Sequence, residues 1–141
     1  MITNNADLNS ANLGTMMNHT TETEIAAAST AERVTPADIE AEIVIEHFFT
    51  AREGRAGAIE ADTYVGRERP ATDNSDLLPL ELLTFCVLVL RNGFTVTGEN
   101  ACVSPENFNA EIGRRVAREH AVNKIWPLLK FRLRDKLASR S

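Results

Sequence analysis

The residues of this chain able to recognise a ligand are one ring, three side-chain amides and a run of cations. Asn92 and Phe94 stand in LVLRNGFTVTGEN, which Asn100 closes, and Arg114, Arg115, Arg118, Asn123 and Lys124 follow in IGRRVAREHAVNK. A ring can stack on a nucleobase, an amide can read a base edge, and guanidinium or ammonium groups can hold phosphate. Each also has a plainer reading: Asn92 as a turn residue, Phe94 as core, and the arginines as surface partners of Glu111 and Glu119.

The chemistry of catalysis is harder to assemble. His19, His47 and His120 lack the paired i,i+4 spacing of metal ligands, and Cys86 and Cys102 sit among apolar neighbours as small buried hydrophobes. The sequence contains no Walker-type phosphate loop, dinucleotide-binding glycine motif or nucleophile elbow. With no triad, dyad or metal set, binding rather than an enzymatic reaction is expected, with no metal and no cofactor.

These residues need elements to position them. Leu82 to Leu90 is an apolar run rich in β-formers, Arg91-Asn92-Gly93 is a turn, and Phe94 to Thr97 resumes the β-type pattern, so a β-hairpin is expected. Ser104-Pro105 supplies an N-cap and a first-turn proline, with Glu106 suited to the positive end of a helix dipole. On a helical wheel Phe108, Ile112, Val116, Val122 and Trp126 form a core-facing stripe, with Arg115 and Glu119 inside it. An ion pair in that setting is either buried or part of a polar pocket. Trp126-Pro127 should kink or restart the helix, and Leu129, Leu133 and Leu137 continue an i,i+4 stripe beyond it.

Upstream, Thr35-Pro36 opens a second helix that would run to Phe49, with apolar residues on several faces and hence more than one neighbour. Residues 1–34 show no sustained period and read as a mobile arm before a single domain, 35–141. Ala51 to Pro79 reads as a long glycine- and proline-rich loop, with strand-like pieces at Gly57 to Ile59 and Thr63 to Val65 and solvated arginines at 52, 55, 67 and 69. The fold class is therefore α+β: an N-terminal helix, a central hairpin in a small antiparallel sheet, and a kinked C-terminal amphipathic helix.

No apolar run approaches the roughly 20 residues a membrane span needs, and the first residues lack the layout of a signal peptide, so a cytoplasmic protein is expected. The charge is split. Residues 1–104 hold 6 Lys+Arg against 16 Asp+Glu, a balance of -10, while residues 105–141 hold 9 against 4, a balance of +5. Such asymmetry suits an anion site or an acidic half docked on a basic one.

The stretch LTFCVLVLRNGFTVTGENACVSPENFNAEIGRRVAREHAVNKIWPL, from Leu83 to Leu128, resembles the small tailed-phage proteins of the gene-49/gene-66 product family, with a weaker echo in IEAEIVIEHFFTA from Ile39. That resemblance implies an accessory phage protein acting in the host bacterial cytoplasm rather than a capsid or tail component. More distantly the chain resembles phage anti-Thoeris sponge proteins. These are implied to sequester cyclic ADP-ribose-type signals, and in some cases cyclic oligonucleotides, without degrading them. The expectation is a homo-oligomeric, non-catalytic binder of a cyclic nucleotide-derived signal, with no membrane and no sequence-specific nucleic acid as partner. The eight site residues rest on side-chain chemistry and wheel position, not on the resemblance. The alternative is a protein-interaction module that inhibits a host or phage enzyme through its acidic half, which would prefer basic partners.

Overall fold

The structure, a computed structural model, describes residues 31–63 and 77–140. They fall into two compact units. The described part of the first is residues 31–42 with 123–140, and that of the second is residues 43–63 with 77–122.

In the first unit, helix α1 spans Pro36–Glu42. Thr35 and Asp38 cap it reciprocally: Asp38 N–H donates to Thr35 Oγ1 (3.1 Å) and Thr35 N–H to the Asp38 carboxylate (2.9 Å). Val34, Ile39, Ile125, Trp126 and Leu129 are buried. Buried Glu42 accepts from both terminal nitrogens of Arg132, at 3.0 and 3.3 Å, and this bond pushes the Arg132 pKa up. Glu32 binds Lys136 (2.9 Å) and Arg140 (3.0 Å). The segment assigned by sequence to the arm thus ends in ordered contacts at Glu32 and Val34.

The expected helix from Pro36 to Phe49 stops at Glu42. Residues Ile43–Thr50 form strand β1, because an IVIEHFFT run of β-branched and aromatic residues gains more from pairing than from a longer helix. Its partner is β2, Leu83–Leu90, which pairs in turn with β3, Thr95–Ala101, giving an antiparallel sheet of order β1-β2-β3. The apolar groups on several faces of a supposed helix are the two faces of an edge strand. Ile45, His47 and Phe49 lie opposite Val89, Val87 and Phe85, while Glu46 and Phe48 lie opposite Leu88 and Cys86.

The β2-β3 hairpin stands where the turn residues put it. Gly93 has φ of 88°, a region that favours glycine, and Asn92 Oδ1 accepts from Phe94 N–H at 3.0 Å. After Thr50, the supposed loop starts instead as helix α2, Ala51–Glu60, which also takes in the strand-like piece Gly57 to Ile59. Thr50 and Glu53 form its capping box. Arg52 pairs with Glu81. Arg67, Arg69 and most of Thr63 to Val65 lie outside the described residues. A 3-10 helix, Leu78–Leu82, leads into β2.

Ser104-Pro105 opens only a 3-10 turn, Pro105–Asn107. Helix α3 spans Ala110–Ser139, with Asn109 Oδ1 accepting from Ile112 N–H at 3.1 Å, and it runs through Pro127 without restarting. In the second unit α3 faces the sheet through Gly113, Ala117 and Ala121, not through the stripe drawn from Phe108. These small residues let backbone meet backbone. A methyl group at Gly98 of β3 would stand 2.1 Å from the Ala117 carbonyl oxygen and 2.4 Å from the Ala121 nitrogen. Thr84, Cys86, Leu88 and Leu90 of β2 and Val96 of β3 complete this core. His120 Nδ1–H donates to the Glu99 carbonyl at 2.8 Å, tying helix to β3.

Candidate ligand-binding site

The hairpin tip carries Asn92 and Phe94. The Asn92 side-chain oxygen is engaged in the turn, and Phe94 projects with 54% of its surface exposed, so it is not core. Asn100 lies six residues along the chain, about 20 Å away at the rise of a strand. It is half-buried opposite Thr84 and faces the start of α3. The ring and this amide are therefore at opposite ends of one hairpin.

Arg114 and Arg115 are exposed on the opening turns of α3. That placement corrects the expectation for Arg115, which is exposed rather than part of a core-facing stripe. Ile112, drawn in the same stripe, is exposed too. The helix is turned toward its smallest residues instead. Arg118 is committed to Glu46 of β1, through Nε at 3.1 Å and Nη2 at 2.8 Å. Asn123 is half-buried and Lys124 exposed in the first unit, and both already have interactions within the protein.

A recess of about 20 Å³, room for one water-sized group, opens at the start of α3. Arg114, Ala110, Thr84, Glu53 and the rings of Phe49 and Phe108 line it. Thr84 is 3% exposed and its hydroxyl oxygen has no hydrogen-bond partner. Gly113 leaves that hydroxyl uncrowded, since a Cβ there would come within 2.9 Å of it. Glu53 is held by its cap, accepting from Thr50 N–H at 2.8 Å. Phe49 is also stacked at a tilt on Phe85, with centroids 5.7 Å apart. Of the recess residues, sequence reasoning singled out Arg114 alone as a ligand group. Thr84 was hidden in an apolar strand, and the only signal for it was a hydroxyl on the face that alternation turns inward.

Among the described residues, no three or more of His, Cys, Asp and Glu cluster as a metal site would need, and no helix is long and apolar enough to cross a membrane. Residues 34–137 match the Phage protein (N4 Gp49/phage Sf6 gene 66) family. The chain belongs to that family. The match takes in the sheet, both ends of the hairpin and nearly all of α3, so every candidate ligand residue lies within the phage family's own domain. No curated protein and no solved structure matches the chain.

Proposed function

We propose that this phage protein is a non-catalytic accessory factor that binds and sequesters a cyclic nucleotide-type signal in the host cytoplasm, countering an anti-phage defence. The observation that carries the reading is Phe94, a ring more than half exposed on a braced turn, where a core residue would ordinarily be covered. Such a ring is a platform for a nucleobase, because every base offers a π-face. Exposed Arg114 and Arg115 supply cations for phosphate. They lie toward the other end of the hairpin, so a ligand touching ring and cations together bridges two copies of the chain, and the binder is a homo-oligomer.

The test is to incubate the purified protein with a panel of cyclic nucleotides, remove the protein with its bound ligand, denature it and analyse what is released. Depletion followed by release of intact ligand is the expected result. Release of altered ligand makes the protein an enzyme. Absence of depletion across the panel overturns the reading in favour of a protein-interaction module.

A further inference from the structure

Strand β1 is one edge of the sheet, and an edge strand leaves half of its backbone N–H and C=O groups with no neighbouring strand to bond. The other edge, β3, is guarded: its Glu99 carbonyl is taken by His120 at 2.8 Å, and Gly98 lies against the backbone of α3. On β1, among the described residues, no hydrogen bond from outside the sheet reaches the backbone of residues 45–48. Val44 and Ile45 are 54% and 47% exposed, and Glu46, His47 and Phe49 are exposed as well. Edges are ordinarily blunted by lysine, proline, a bulge or an inward-pointing charge. Residues 45–50 contain no lysine and no proline, and the bulge lies before them, between Ile43 and Ile45. The carboxylate of Glu46 is neutralised by Arg118.

We propose that β1 docks on β1 of a second copy of this chain, antiparallel about a two-fold axis normal to the sheet, joining the two sheets into one. Residues directly opposite in an antiparallel pair point to the same face, so a symmetric register must centre on a residue. Centred on Glu46, it would oppose two carboxylates and run into the bulge; centred on Phe48, it would leave Ile45 without an opposite residue. Centred on His47, it uses residues 45–49 in full. Ile45 then faces Phe49 of the partner subunit, a favourable pairing of a β-branched with an aromatic side chain, and Glu46 keeps Arg118. The joined sheet ends on each side in β3, whose edge is guarded, so assembly stops at two copies. The two-fold also reverses the partner's hairpin. Phe94, at the Leu90 end of β2, comes to the same end of the joined sheet as the partner's Arg114, at the Thr84 end. That is the juxtaposition a bridging ligand needs, although the pairing itself rests on the strand and on no ligand.

Sedimentation equilibrium of the full chain at micromolar concentration should give a dimer. Ile45→Lys places a charge on a side chain already exposed, so it should keep the wild-type circular dichroism while weakening dimerisation at least about 10-fold. Cysteine cross-linking under mild oxidation reads the register, with the linked peptides identified by mass spectrometry. His47→Cys puts its Cα about 5 Å from that of its own copy, within disulfide reach. Ile45→Cys stands about 13 Å from its own copy along the strands. Position 47 should therefore link to itself quickly and position 45 slowly. A monomeric wild type overturns the proposal and leaves the edge to a strand of a different protein. An oligomer that Ile45→Lys leaves intact overturns it too, by placing the interface elsewhere, and so does self-linking at position 45 as fast as at 47. Should Ile45→Lys fail to fold, the cross-linking decides alone. A dimer of this geometry that takes up no cyclic nucleotide upholds the pairing and counts only against sequestration.

Discussion

Arginines that look alike in the sequence have different work in the fold. Arg115 is exposed, so Arg115→Ala should change stability by less than about 0.5 kcal/mol in a urea titration. Arg132 instead reaches buried Glu42 with two nitrogens. Removing it strips charge-assisted bonds from a carboxylate out of water, and Arg132→Ala should destabilise by about 2 kcal/mol in the same assay, the exposure of the arginine moderating the loss. The wheel set Arg115 in a core-facing stripe because it was centred on Phe108, which has an extended backbone and precedes the first residue of α3. Large side chains keep a helix at a distance, whereas the close approach here is set by Gly113, Ala117 and Ala121. Cys86 yields a pH prediction. Burial, reinforced by the charge of Glu46 and partly offset by Arg118, pushes its thiol up to about 11 from an ordinary 9.0. The folded state thus favours the neutral thiol. Its contribution is constant below pH 9 and is lost between about pH 9 and 11 as the unfolded thiol ionises, by at most about 3 kcal/mol. Cys86→Ala should remove that segment of the alkaline stability curve.

Among the elements, those written in local chemistry were legible. Asn92 and Gly93 define the hairpin because their backbone preferences act without help from the rest of the chain. Thr35-Pro36 likewise marks the start of α1. The strand β1 was not legible, because Ile43 to Phe49 can be placed on a helix as readily as on a strand until β2 is there to pair with it. Helix α2 carries a local signal of its own, since Thr50-Ala51-Arg52-Glu53 has the spacing of a capping box. The packing of α3 on β3 was also written in small residues, with Gly98 as the critical one. Gly98→Ala would push a methyl into the backbone of Ala117 and Ala121, which can yield only if the helix lifts. We expect a loss of about 3 kcal/mol or more, or failure to fold. Gly113→Ala meets the Thr84 side chain and not backbone, so it should be milder, at about 1–2 kcal/mol. Chemical denaturation of the two variants side by side checks the order.

For the whole molecule, the chemistry named from sequence is present but spread out. Phe94 and Asn92 are at one end of the hairpin, Asn100 and the recess with Arg114 at the other, about 20 Å apart along β3. Linear order brings these residues within a short stretch of text, and only the antiparallel ladder reveals that the hairpin keeps them apart. A ligand held by both ring and guanidinium must then take the ring from one copy and the guanidinium from another. Mixing separates this arrangement from its rivals. Phe94→Ala and Arg114→Gln proteins should each bind the signal poorly alone. In a two-fold dimer with two shared sites, random exchange of equal amounts makes half the dimers mixed. Each mixed dimer has one site with both groups replaced and one with both intact, so about one quarter of the wild-type binding capacity should return, at wild-type affinity. Equilibrium dialysis of the exchanged mixture measures it. If capacity stays at the level of the separate variants although exchange is verified by mass, Phe94 and Arg114 do not share a ligand, and the ring and the recess are two sites.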